Sequence, residues 1–322
     1  MNSLGNVLQR QAHFAEAEKY HSEVLARRRR MLGPEHPQTI ITLQGLAGDF
    51  RGEGRFVDAE TLDREAVEIR RHLFGVAHQH TLSSMRDLAR DIARQERYAE
   101  AEQLNRQSLE IARRALGPEH PDTVSLMINL ALTLQQQARY SESEEINRAA
   151  IEINQRVLGP EHAYTLAPMS NLARDLAMQG KVGEAEPLAR RTLELYRRTA
   201  GPEHPQTIEN MNVLRDCLSR APRYADAEEL ARQILGITRR VFGTDDIRTA
   251  DTAYELGTLL AIQGKPDEAI SVLGDAVQHG LGREKLVAMQ TDVDLKSLRS
   301  DPGFKTVVAD ARRRATTASK PE

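Results

Sequence analysis

An all-α array of antiparallel helix pairs is what this sequence predicts, and three observations carry the prediction. Gly33, Gly75, Gly117, Gly159, Gly201 and Gly243 stand 42 residues apart each time, with no insertion or deletion. A threonine follows each glycine six residues on, at Thr39, Thr81, Thr123, Thr165, Thr207 and Thr249. Between these linkers the apolar residues fall twice per unit at helical spacing. A fixed period of this size marks a repeat array. An array lengthens by addition, so the 322 residues read as one continuous domain.

Residues 117–158 show one unit. Gly117 ends a helix, because glycine accepts the left-handed backbone of a helix terminus without steric cost. Pro118 cannot continue that helix. Pro121 in an early turn and Thr123 as N-cap start the next one. Met127, Leu130, Ala131 and Leu134 then follow at i, i+3, i+4 and i+7, which is one apolar helix face. Ala138-Arg139-Tyr140 makes the turn, where other units begin with Gly54, Gly180 or Gly264. The second helix carries Ile146, Ala150, Ile151 and Ile153, with Ser143 where other units have alanine.

Polar positions recur in the same register. Glu60–Arg64, Glu102–Arg106, Glu144–Arg148, Glu186–Arg190 and Glu228–Arg232 are i,i+4 pairs with the acid first, the favourable order on a helix surface. Arg113-Arg114, Arg197-Arg198 and Arg239-Arg240 close second helices, facing the negative end of the helix dipole. The run Arg27-Arg28-Arg29-Arg30 falls in that register and reads as the same C-terminal cap rather than a nucleic-acid patch.

Taken in order, residues 1–32 form an incomplete first repeat. Met1 is in register with Met85, Met127, Met169 and Met211, inside a first helix whose linker is missing. Leu4, Val7 and Leu8 therefore present an uncapped apolar end. The expectation is a fragment of a longer protein, the alternative being that this end pairs with another copy. Residues 33–242 are five full repeats, and 243–280 a divergent last one that has lost the linker proline and histidine. In the second repeat Gly45, Gly48, Gly52 and Gly54 crowd one helix. An interior glycine costs about 1 kcal/mol relative to alanine, so Ile41–Arg51 is expected to be the least stable first helix. Residues 281–314 leave the period and are read as C-terminal capping helices, with Phe304, Val307 and Val308 on the apolar side of the second. Residues 315–322 are expected to be disordered.

Leu130-Ala131, the Gly-Lys or Ala-Arg turn, Tyr140, and the segments Phe14-Ala15-Glu16-Ala17-Glu18 and Tyr98-Ala99-Glu100-Ala101-Glu102 resemble the tetratricopeptide repeat. The Leu-Gly-Pro-Glu-His-Pro-x-Thr linker and the 42-residue period resemble its kinesin-light-chain type, over roughly residues 1–280. The resemblance implies a right-handed superhelical solenoid. It also marks a departure: the second helix of such repeats usually carries an aromatic where this chain has His21, Asp63, Asn105, Asn147, Ala189 and Ala231. If those positions are buried, packing there is expected to be looser.

Composition narrows the function. There are 44 basic and 47 acidic side chains, so no global charge draws the chain to nucleic acid or a membrane. Aromatics are 4% and tryptophan is absent, which argues against a base-stacking surface. No apolar run approaches the roughly 18 residues of a membrane span. The N-terminus lacks the pattern of a signal peptide. Cys217 is a lone cysteine, which fits a cytoplasmic setting. Gly257–Lys265 has six residues between its glycines and Pro266 after its lysine, so it is not a phosphate loop. His36, His78, His120, His162 and His204 repeat in successive linkers, about 8–10 Å or more apart by helix spacing, and cannot share a metal. No catalytic constellation, cofactor or metal site is read, and the chain is expected not to be an enzyme.

The family resemblance places ligands on the first helix of each pair, along a concave surface. The residues that would lie there are Asn2, Asn6, Gln9, Arg51, Arg86, Arg90, Arg94, Gln135, Arg174, Asn212 and Arg220. In one helix the spacing agrees: Met85, Leu88, Ala89 and Ile92 form its core face, while Arg86, Arg90 and Arg94 stack at i,i+4 on another side. Arginine forks suit carboxylates. The carboxylate clamp of the family is matched in type only by Asn6, Arg86 and Arg90. Asn2 stands where it has lysine, and Gly48 where it has asparagine. Asp87–Arg90 and Asp91–Arg94 are i,i+3 pairs that would partly neutralise the cluster, so a binding face and a solvated face both stay open. The expected function is a scaffold binding an acidic or C-terminal peptide of a partner protein. The alternative is the regulatory or docking region of a larger bacterial signalling enzyme, such as a serine/threonine kinase.

Overall fold

Each linker is built from three interactions that the repeated residues impose. Gly33 and Gly75 adopt φ of 89° and 84° with ψ of 163° and 165°. Only glycine reaches that extended region at positive φ, so the constraint is stricter than the left-handed helix end expected. The threonine six residues on donates from Oγ1 to the glycine carbonyl in all six linkers, at 2.7–2.8 Å. Thr123 thus ties the linker shut and is not the N-cap. The cap is the histidine: Nδ1 of His36, His78, His120, His162 and His204 accepts from the backbone N–H two residues on, at 3.2–3.3 Å. In the divergent last repeat Asp246 does the same for Arg248 at 2.9 Å. The turn inside each pair also selects its residues. Gly54, Gly180 and Gly264 sit at positive φ, and in the equivalent places Glu96 and Ala138 are forced to 63° and 58°.

The computed structural model describes residues 2–10 and 13–317, with side chains for 4–9 and 13–316. The helices are α1 (Asn2–Arg10), α2 (Phe14–Leu32), α3 (Pro37–Gly52), α4 (Phe56–Phe74), α5 (Gln79–Arg94), α6 (Tyr98–Ala115), α7 (Pro121–Gln136) and α8 (Tyr140–Val157). They continue as α9 (Ala163–Met178), α10 (Val182–Thr199), α11 (Pro205–Arg220), α12 (Tyr224–Val241), α13 (Ile247–Ile262) and α14 (Pro266–Gln278). The cap is α15 (Arg283–Ala288), a 3-10 turn (Val293–Leu298) and α16 (Pro302–Thr317). Helix α16 runs three residues into the stretch expected to be disordered, with Ala315 buried against the cap. Residues 318–322 and Met1 lie outside the described residues. The chain divides into two units, 1–171 and 172–322.

In the first unit the core is the apolar stripe read from the period. Leu82, Met85, Leu88, Ile92, Met127, Leu130 and Leu134 form one buried cluster, edged by Tyr98, Ile146 and Ile153. Helix α1 packs on α2 and α3, while Leu4 and Val7 remain 44% and 45% exposed. The second unit repeats the stripe with Met211, Leu214, Ile234, Leu256 and Leu260.

The glycines of α3 have a reason that helix propensity does not show. A Cβ at Gly45 would lie 3.2 Å from the His21 ring, at Gly48 2.6 Å from Gln9, and at Gly52 2.3 Å from the Phe14 ring. The missing side chains are the space into which the preceding repeat packs. The expectation that α3 is weak therefore considered only half of its energetics. Gly52→Ala should destabilise the chain by about 1–3 kcal/mol through overpacking, opposite in sign to the helix-propensity effect. Urea unfolding followed at 222 nm checks it; a gain in stability would show that Phe14 is free to move aside.

All five Glu–Arg i,i+4 pairs form. Several of these acids also take groups from the following repeat. Glu60 accepts from Arg64, from Gln95 at 2.6 Å and from Arg97 at 2.7 Å. Glu102 does so from Gln137 and Arg139, and Glu228 from Gln263 and Lys265. Burial alone would raise the Glu60 carboxyl, but these hydrogen bonds outweigh it and hold it below the usual range. The arginine run is used in the same way: Arg28 holds Gln38 and Thr42 at the start of α3, and Arg29 pairs with Glu65 at 2.6 Å. Pro168 cannot donate to the Tyr164 carbonyl, and Asn154 Nδ2 donates to it instead at 2.6 Å.

Candidate protein-binding face

The first helices present their remaining face away from the core, and the structure sorts the expected ligand residues on it. Several are turned inward. Asn6 Oδ1 lies 3.1 Å from His21 Nε2, and Gln9 donates to the Gly45 carbonyl and to Asp49 Oδ1 at 2.9 and 2.8 Å. Arg51 Nη1 reaches Asp63 Oδ2 at 2.6 Å and Asp91 Oδ2 at 3.0 Å. Gln135 is buried and donates to the Asn171 carbonyl at 3.0 Å. Of these side chains, Gln9, Arg51 and Gln135 bond to a following repeat. Among the described positions of the clamp, Asn6 is held by His21 and Gly48 lies beneath Gln9. The side chain of Asn2 lies outside the described residues.

Helix α5 keeps its arginines outward. Arg90 is exposed and reaches Asp87 at 3.2 Å; Arg86 is half-buried, 3.2 Å from Ser83 Oγ and 3.7 Å from the same Asp87. Arg94 is exposed and lies over the Phe56 ring, 5.0 Å from its centroid. The expected Asp91–Arg94 pair does not form, because Asp91 points into the repeat junction and takes Arg51. Arg86 and Arg90 therefore share the one carboxylate of Asp87, while Arg94 rests on an aromatic ring. Asn129 of α7, which sequence spacing did not single out, joins them: its Nδ2 donates to the Arg86 carbonyl at 3.3 Å and to Asn105 Oδ1 at 3.2 Å.

The second unit has a different face. Arg174 pairs with Glu209, Arg220 lies 2.8 Å from Met178 Sδ, and Asn212 Oδ1 accepts from Arg215 at 2.9 Å. Arg215 was missed by sequence reasoning because it occupies a core register. It is 7% exposed and reaches Asp216 at 2.7 Å, in a cleft of about 270 Å3 that Arg220 and Glu255 also line. Cys217 beside it is fully buried, and burial, with Asp216 and Glu186, pushes its thiol up to about 12. Gly257 lies inside α13 against Leu273, and Lys265 is on Glu228, so neither forms a phosphate loop. Among the described residues no group of three or more His, Cys, Asp or Glu is placed to hold a metal ion. No helix of those residues is long and apolar enough to cross a membrane.

Paired helices on a 42-residue period, joined by a Gly–Thr linker, define an all-α repeat protein of the solenoid class. The tetratricopeptide-repeat family model matches residues 1–72, 46–111, 80–155, 127–198, 170–237 and 216–279, and the chain belongs to that family. Among solved structures it is similar to a kinesin light chain protein of Podosopora anserina with nearly identical TPR-like repeats. The identity is 26%, over 65% of this chain and 99% of that one, with a TM-score of 0.52. BtubC (BKLC) from P. vanneervenii is 20% identical over 71% of this chain and 92% of its own, TM-score 0.58. A Rap protein complexed with Competence and Sporulation Factor is 13% identical over 82% and 74%, TM-score 0.55, a likeness of fold. No curated protein matches.

Proposed function

We propose that the chain is a non-catalytic scaffold whose first-helix face in the first unit binds an acidic segment of a partner protein, in a cytoplasmic setting. The observation that carries this reading is the arginine face of α5. Elsewhere the glutamates on the second helices absorb their arginines, whereas among the described residues Asp87 is the one carboxylate paired with Arg86 and Arg90, and Arg94 lies over Phe56. Each exposed fork can take a carboxylate with two parallel hydrogen bonds. A rigid helix fixes their spacing, so a ligand loses little freedom beyond its own. Membership of a family of protein-interaction repeats supports the same reading.

The test is fluorescence anisotropy with a fluorescein-labelled acidic peptide and its Glu→Gln counterpart. The variant Arg86→Glu/Arg90→Glu/Arg94→Glu should bind the acidic peptide about tenfold or more weaker, the equivalent of one lost charge-assisted hydrogen bond. Its ellipticity at 222 nm should match the parent. Equal affinities for parent and variant would show the arginines to be a solvated face.

A further inference from the structure

The junction of the second and third repeats buries more acid than base. Asp63 of α4 and Asp91 of α5 are both wholly inaccessible, and both place Oδ2 on one nitrogen of Arg51. Two ionised carboxylates against one guanidinium would leave a net negative charge out of reach of water, where it is most costly. The remaining oxygen of each acid, Oδ1, is buried without a hydrogen-bond partner. The charged groups facing the pair are Arg51 from α3, Arg70 further along α4, and Asp87 from α5, which adds a further negative charge. Two acids gathered on one nitrogen can hydrogen-bond each other only when one of them carries a proton. The flanking junctions of this unit fill the same register with matched partners: His21 with Asp49 at 2.5 Å, and Asn105 with Thr133 at 3.0 Å.

We propose that Asp63 and Asp91 share a single proton, and that this proton lets the second and third repeats close on Arg51. The junction is then a proton-sensitive element of the scaffold, tight when the proton is bound and looser once it leaves. Asp91 is pushed up to about 8, by burial first and then by Asp63, against the pull of Arg51. Asp63 is raised too, again by burial first. The sign follows from linkage. The folded pair keeps a proton that an unfolded aspartate, with its ordinary value of 3.8, releases. The contribution to stability is complete below that value and is lost as pH rises toward about 8. One proton corresponds to about a tenfold rise in the unfolding constant per pH unit in this window.

The experiment uses the full chain labelled with 13C at aspartate Cγ. In the parent, one aspartyl signal should keep its protonated shift above pH 6, which is roughly two units beyond an ordinary aspartate. That signal should vanish in both Asp63→Asn and Asp91→Asn, where the amide supplies permanently the hydrogen that the proton supplies reversibly. Urea unfolding between pH 5 and pH 8 gives the second readout: the parent should lose stability with pH more steeply than Asp91→Asn, by up to about tenfold per unit. All aspartates ionised by pH 5, or equal slopes in parent and variant, would overturn the proposal. The titration of the parent needs no variant to fold.

Discussion

Arg51→Met should destabilise the chain by about 3–5 kcal/mol, the loss that follows when one partner of a buried ion pair is removed. The methionine fills much of the same volume, so the loss reports charge rather than a cavity. Without the guanidinium, Asp63 and Asp91 face each other and Asp87 with no cation at contact distance. They must then stay protonated or the junction must open. Urea unfolding at pH 7, followed at 222 nm, measures the loss. Asp63→Asn in the Arg51→Met background should recover at least half of it, because a neutral amide needs no counterion. A loss below about 1 kcal/mol, typical of an exposed pair, would mean that water reaches the two carboxyls. The spacing of first-helix residues puts Arg51 with the ligand-facing arginines, but its side chain is only 18% exposed and joins three helices. The same substitution should therefore leave the affinity of the α5 face for an acidic peptide largely intact wherever the chain remains folded.

The period made the helices, their pairing and their core legible, because one register repeated six times averages out local irregularity. What it hid was the direction of the polar residues. His21, Asp63, Asn105 and Asn147 read as gaps where an aromatic is usual, with looser packing as the expected consequence. All four are fully buried, and the first three are hydrogen-bonded to Asp49, to Arg51 and to Thr133, so the space is filled by polar contacts instead. A signal was present within the one chain. The residues 28 positions further on, Asp49, Asp91 and Thr133, are polar where their partners are polar; Cys217 and Leu259 follow Ala189 and Ala231. Two columns that change character together mark contact across a repeat boundary. The ligand face was harder to read, since an arginine on an exposed register looks the same whether a neighbouring repeat or solvent receives it. Arg51 falls in a register that Ala93, Gln135, Ala177 and Ala261 fill as buried residues, whereas the register of Arg90 holds the exposed Leu132 and the half-buried Asp216.

Leu130→Ala should cost about 2–5 kcal/mol, the range for a large residue removed from a packed core. Leu130 is 1% exposed within the cluster that α5, α6, α7 and α8 share. Its repeat equivalents Leu46, Leu88, Leu172, Leu214 and Leu256 are all 6% exposed or less. Leu4 occupies the same register in α1 and is 44% exposed, which makes it an internal control of unusual quality. The same substitution, in the same repeat register, removes the same methyl groups. The helix-propensity change from Leu to Ala is a few tenths of a kcal/mol at most, roughly a tenth of the packing loss. Leu4→Ala should therefore cost less than half as much as Leu130→Ala, and the difference measures packing by the neighbouring repeats. If both variants lost equal stability, or Leu130→Ala lost less than about 1 kcal/mol, the stripe would not be the core. In an array each repeat touches only its neighbours, so the loss at Leu130 should appear first as raised hydrogen exchange in α5–α8.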